Sequence, residues 1–352
     1  MKRRPRTAHK GEISQMQLKI SAEDPLLCDF ALPLRSLHYH LGFPVEIVTN
    51  SNEVLTGAEE SWGNFGPVFS QPPVQIRIGV LKGDSSACPP PPVVRSQQNL
   101  LINIADRENF VVSDMRRGFA FGWLTEATVR DRAYLRYYFL EGVAWTLLEP
   151  LYLTSIHGAC VGFEGRGVLL CGDSGAGKSS LAYACARRGW TFLSDDSSCL
   201  VRKRPGRVVT GNPNSMRFRE SAAELFPELK TQPVTRRLSG DMAIELPTAS
   251  MPGIKTWSEC PIDYIVFLNR KNPDPSGLSP FPKQRALQWF EQVVCYGEED
   301  VRILQKASLQ NLLAAEVFEL RYSDLATAIS HLETLVLHGA SVTSESCTKS
   351  GD

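Results

Sequence analysis

Gly172-Asp173-Ser174-Gly175-Ala176-Gly177-Lys178-Ser179 fits the pattern G-x-x-x-x-G-K-[ST] at every fixed position. Glycines at 172, 175 and 177 free the backbone to curl with its N–H groups inward, a concavity suited to phosphate. The ammonium of Lys178 is long enough to reach β- and γ-phosphates, and the Ser179 hydroxyl is a hard ligand for Mg²⁺. Ser180 continues the set into the next element. Two further groups lie at fixed distances. His157 precedes Lys178 by 21 residues, and Asp195-Asp196 follow it by 17 and 18. An adjacent acid pair can divide its labour, one carboxylate holding Mg²⁺ and the other accepting the proton of an attacking hydroxyl. Like charges side by side also push one pKa upward, which suits a base. Asp196 is the candidate metal ligand beside Ser179. Residue types alone leave open which aspartate is the base. His157 beside the pair has the chemistry to orient a carboxylate or tune its proton.

The surrounding residues dictate the elements that carry these groups. Val168 to Cys171 is a short apolar run and predicts a buried strand, while Ser179 to Arg188 predicts a helix. The positive end of that helix dipole then falls on the loop. Ile156–Phe163 predicts the strand bearing His157, and Phe192–Asp196 one ending in the acid pair. Ile262–Leu268 is continuously apolar and β-branched, which predicts burial on both faces. Asn269-Arg270 follows it and supplies no carboxylate. Phe318–Tyr322 predicts a late strand, Ser323-Asp324 a cap, and Leu325–Leu337 a closing helix.

Before the loop, alternating residues predict strands at 44–48, 74–80, 99–104, 110–113 and 118–123, with a helix from Ser51 to Trp62. Asp131 to Leu148 predicts a long helix ended by Pro150. The division is a disordered basic arm over 1–25, an N-terminal α/β lobe over 26–150, a loop-bearing domain over 151–340, and a disordered tail over 341–352.

Composition narrows the partners. The chain has 352 residues, with 38 Lys plus Arg against 38 Asp plus Glu, so no net field favours nucleic acid or an anionic membrane. The apolar stretch 139–153 is broken by Glu141, Glu149 and Pro150, which argues against a span. Met1-Lys-Arg-Arg-Pro-Arg6 has no apolar core behind it and does not read as a secretory signal. Nine cysteines without a C-x-x-C pair point to reduced thiols and a cytoplasmic setting.

Three segments together resemble the catalytic domain of the HPr kinase/phosphorylase family. They are His157-Gly-Ala-Cys-Val-Gly162, Gly167-Val-Leu-Leu-Cys-Gly-Asp-Ser-Gly-Ala-Gly-Lys-Ser179, and Arg187-Arg-Gly-Trp-Thr-Phe-Leu-Ser-Asp-Asp196. The resemblance covers about 155–203. It implies an α/β kinase fold shared with phosphoenolpyruvate carboxykinases, ATP and Mg²⁺ as cofactors, and transfer to a serine hydroxyl on a protein. By resemblance Lys178 binds the phosphates, Ser179 the Mg²⁺, and Asp195 or Asp196 acts as base with His157 nearby. After the acid pair the chain departs from the family's Glu-Ile-Arg-Gly-type stretch, so it resembles the HPr-kinase-related set more than the carrier-protein regulator itself. Arg217 is a candidate phosphate contact. Val234–Met242, with Arg236 and Arg237, is a candidate mobile loop. An ATPase and a non-catalytic nucleotide-sensing module are the competing readings. The acceptor, a protein, peptide or small molecule with a hydroxyl, is set by surface loops, and the residues are equally silent on oligomeric state.

Overall fold

A computed structural model describes residues 31–202, 204–236, 240, 242–294 and 298–339. The arm over 1–25, the tail over 341–352 and Arg237 lie outside the described residues.

The alternating segments of the first third form a seven-stranded mixed sheet among the described residues. Its order is Leu34–His40, Phe43–Thr49, Val74–Leu81, Phe119–Thr125, Phe110–Asp114, Leu100–Ile104 and Val93–Gln97. Alternation places Val45, Ile47, Ile76, Ile78 and Leu124 on one buried face. The helices Asn52–Trp62 and Gly142–Tyr152 cover that face, in a core that also takes in Cys199 and Val201 from the second sheet.

The helix expected over 131–148 is instead a chain of segments. Arg132–Tyr134 leads into a π-helical stretch at Leu135–Glu141, and Gly142–Tyr152 follows. Pro150 lies inside the last of these rather than ending it. Arg202 explains how that last turn persists. Its Nη2 donates to the carbonyl oxygen of Glu149, which also accepts from the Leu153 N–H that caps the helix, and to that of Pro150 in the last turn.

The second sheet has ten strands among the described residues, and the eleven-residue strand Glu259–Asn269 is its axis. Its first residues pair antiparallel with Val208–Gly211. Its later residues run parallel to Arg166–Cys171 on one side and Glu316–Arg321 on the other. The apolar run predicted to be buried on both faces is so. Tyr264, Val266 and Leu268 enter one core, beneath Lys178–Arg187 and Leu325–His338. Ile262, Ile265 and Phe267 enter the opposite core, beneath Lys283–Val294 and Glu299–Leu312. The result is a sheet with helices on both faces, a mixed α/β architecture. Three parallel strands end at one edge, delivering the loop after Cys171, Arg270 after Asn269, and Tyr322 after Arg321.

A three-stranded sheet, Ser215–Phe218, Met242–Pro247 and Val234–Arg236, stands over that edge. The segment expected as a mobile loop thus begins and ends in paired strands, with Thr235 opposite Ala243.

Candidate functional site

Two chain segments change sheet partners at the same place, and this produces the site. Leu153–His157 pairs with Ser197–Val201, while Ala159–Phe163 pairs with Thr191–Ser194. The crossovers are Gly158 on one segment and Asp195-Asp196 on the other. Ser197 stands opposite His157, so the acid pair is carried to the end of the histidine strand. Side chains hold the corner. Ser198 Oγ donates to the carbonyl oxygen of Gly158 at 2.9 Å and lies 2.7 Å from Ser194 Oγ. A Cβ at Gly158 would lie 3.0 Å from the Leu170 carbonyl oxygen, so a larger residue needs the neighbouring strand to give by a few tenths of an ångström.

The phosphate-type loop arrives from the next strand, Arg166–Cys171, and opens the helix Lys178–Arg187. Gly177 takes φ +98°, and a Cβ there would approach Tyr322 Oη to 2.8 Å, so both conformation and space require glycine. Tyr322 Oη donates to the Ala176 carbonyl oxygen at 3.2 Å, tying the loop to the neighbouring strand end. Lys178 is buried, and its Nζ donates to the carbonyl oxygens of Gly172 at 2.8 Å and Asp173 at 3.3 Å. Its third contact is His157 Nε2 at 3.1 Å. On the far side of the ring, His157 Nδ1 lies 3.1 Å from Asp196 Oδ1.

This chain sets the imidazole's protonation. Burial lowers the His157 pKa, Asp196 opposes the shift, and Lys178 adds to it. A neutral ring between an ammonium and a carboxylate carries its hydrogen on Nδ1, donating to Asp196, and accepts from Lys178 at Nε2. Burial likewise lowers the Lys178 pKa, with Asp196 the largest opposing charge.

The two aspartates differ sharply. Asp195 is buried and Asp196 half exposed. Asp195 Oδ2 accepts a 2.6 Å hydrogen bond from the Arg217 backbone N–H. Burial raises its pKa from 3.8 to about 6. The Arg217 N–H and guanidinium pull it down, and Asp196 pushes it up. Ser179 Oγ donates to the Asp195 carbonyl oxygen at 3.2 Å, so hydroxyl and acid pair adjoin.

These groups line one open cleft of about 940 Å³. His157, Ser174, Gly175, Gly177, Lys178, Ser179, Ser180, Asp195 and Asp196 face it, and Arg217, Arg219 and Arg270 line it with them. Gly172 and Asp173 contribute the carbonyls that hold Lys178, and Ala176 the one that holds Tyr322. Arg217 does reach the cleft, with Nε on Glu245 Oε1 at 3.2 Å. Arg219, Arg270 and Tyr322 were not singled out as site residues from the sequence. Arg219 Nη2 donates to Ser174 Oγ at 2.6 Å. The available signal was position: each of Arg270 and Tyr322 directly follows a buried strand that runs parallel to the loop strand.

A loop that can wrap phosphate, a lysine inside it, and an acid pair facing both give this cleft of an α/β protein the chemistry to take a nucleotide's phosphates. Residues 151–219 match the family model described as the HPr Serine kinase C-terminal domain. An HPr kinase/phosphorylase of Lactobacillus acidophilus is 41% identical over 63 residues, which is 18% of this chain and 20% of that protein. One from Streptococcus thermophilus is 43% identical over 72 residues, 20% of this chain and 23% of that protein. A solved HPr(Ser) kinase/phosphatase from Coxiella burnetii aligns over 53% of this chain and 93% of its own, at 12% identity and a TM-score of 0.28, too low to bear on the architecture. Through this segment the chain is related to the HPr kinase family. The aligned segments span about a fifth of the length of the curated relatives.

Among the described residues no helix is long and apolar enough to cross a membrane.

Proposed function

We propose that this chain is an ATP- and Mg²⁺-dependent phosphotransferase that moves the γ-phosphate of ATP to a hydroxyl, with a serine on a protein or peptide the favoured acceptor class. A P-loop kinase domain of the HPr kinase and phosphoenolpyruvate carboxykinase type, over 151–340, is the fold this reading takes. Residues 26–150 form the accompanying lobe, and the setting is cytoplasmic. One observation carries the proposal. A buried carboxyl with a raised pKa shares a cleft with a phosphate-type loop, and a histidine links the loop lysine to the second carboxylate.

The residues present suit a nucleotide and its metal. Gly175, Gly177, Lys178 and Ser179 line the cleft where the helix Lys178–Arg187 opens, with nothing larger than glycine at 175 and 177. Mg²⁺ prefers few protein oxygens and completes its shell with phosphate and water. Ser179 Oγ and the Asp196 carboxylate are those oxygens. Bound there, the metal neutralises charge on the β- and γ-phosphates.

Lys178 leaves the carbonyls of Gly172 and Asp173 for the β- and γ-oxygens. Asp195, ionised above about pH 6, accepts the proton of the acceptor hydroxyl. As that proton moves, the hydroxyl oxygen bonds to the γ-phosphorus and the bond to the β–γ bridging oxygen breaks, releasing ADP. His157 donates from Nδ1 to Asp196 and holds that carboxylate in place. Its neutral state leaves Lys178, of the two, as the cation facing the phosphates.

Transfer from γ-labelled ATP with Mg²⁺ to a soluble lysate and a panel of serine peptides tests the proposal, with Lys178→Ala and Asp195→Asn as controls. Label on a discrete acceptor, absent with both variants, supports it. Free phosphate alone would move the protein to the ATPase class. ATP binding without turnover, insensitive to loss of both aspartates, would leave a nucleotide-sensing module.

A further inference from the structure

We propose that Arg270 is a ligand of the nucleotide's phosphates, supplied to the loop from the neighbouring strand; the inference rests on the nucleotide reading of the cleft.

Arg270 is the first residue after Glu259–Asn269, the strand parallel to the one that enters the loop. Ligands of open α/β sheets collect where parallel strands end at their carboxyl edge. Its position against the loop is close. A Cβ on Gly177 would lie 3.4 Å from Arg270 Cδ and 3.7 Å from Nη1. The guanidinium is 5.8 Å from the ring centroid of Tyr322, whose hydroxyl is itself bonded to the loop at Ala176. Ring and loop thus hold the arginine from two sides.

The other cleft-lining cations are engaged. Lys178 donates to loop carbonyls, Arg217 to Glu245, and Arg219 to Ser174. Arg270 lines the same cleft with its ring contact but without a hydrogen bond or carboxylate partner among the described residues. A cation set on an aromatic face beside N–H groups, with no anion of its own, is complementary to an anion that arrives. Gly177 belongs to the loop backbone that cradles the α- and β-phosphates, so ATP and ADP share the contact.

Calorimetric titration of ATP and ADP into wild type, Arg270→Gln and Arg270→Lys provides the test. The Gln variant keeps most of the stem but loses the charge. Its affinity for both nucleotides is expected to fall about ten- to a hundredfold, the weight of one charge-assisted hydrogen bond. The thermal midpoint without nucleotide should be unchanged. The Lys variant, which restores charge without the planar fork, recovers part of the loss. Wild-type affinity in Arg270→Gln overturns the inference. If that variant does not fold, Arg270→Lys decides. Weakened nucleotide binding at an unchanged midpoint supports the role, and unchanged binding overturns it. Failure of wild type itself to bind either nucleotide would overturn the nucleotide reading beneath it.

Discussion

Replacing Asp195 by asparagine is expected to stabilise the fold while abolishing transfer. The carboxyl is buried and its pKa stands near 6 against 3.8 in the unfolded chain. Two units correspond to about 3 kcal/mol at roughly 1.4 kcal/mol per unit. The sign follows from proton counting. Between these two values the folded protein keeps a proton that the unfolded chain has released. Stability therefore falls as pH rises through this window and is level above it. Asparagine does not titrate and retains an oxygen for the 2.6 Å bond from Arg217 N–H. The stability difference between variant and wild type should grow from near zero at about pH 4 to about 3 kcal/mol at pH 7. Urea unfolding followed by tryptophan fluorescence between pH 4.5 and 8 measures it, since every other group titrates in both proteins. In parallel, wild-type kcat/KM should climb as pH passes about 6, and the variant should lose on the order of 10²- to 10⁴-fold. A pH-independent difference, or a wild type more stable than the variant at pH 7.5, would refute the placement of an ionised, desolvated base here.

Lys178→Ala should remove the ammonium from the cleft and weaken ATP binding by more than about tenfold, read by calorimetry. Gly177→Ala forces a left-handed φ on alanine and drives its Cβ to 2.8 Å from Tyr322 Oη. It should cost about 1–3 kcal/mol in unfolding free energy and lower nucleotide affinity together. His157→Gln breaks the link to Asp196 and should lower kcat more than it raises KM for ATP, as expected of a group that positions a carboxylate. Leu170→Ala empties part of the core beneath the loop helix, and a loss of about 2–5 kcal/mol in chemical denaturation checks that packing.

Much of this site is legible in the residues. Glycine spacing, Lys178 and Ser179 identify the loop because phosphate binding draws on backbone freedom and one cation, both local properties. The apolar run after Ile262 announces a doubly buried strand because each face must meet a core. Periodicity failed where partners outside the segment decide the outcome. The π-helical stretch after Tyr134 and the persistence of the last turn through Pro150 depend on tertiary contacts, Arg202 among them.

The division of labour in the acid pair shows where the sequence ends. Asp195 and Asp196 are identical residues side by side, and their order in the chain carries no charge environment. Only the corner at Gly158, where two strands change partners, buries one carboxyl against the Arg217 N–H and turns the other toward His157. Arg270 and Tyr322 lie 92 and 144 residues beyond Lys178 along the chain and meet the loop only because parallel strands end together. Local chemistry is written in residue types and short spacings. Desolvation and convergence are properties of neighbours, and neighbours distant in sequence are chosen by the sheet.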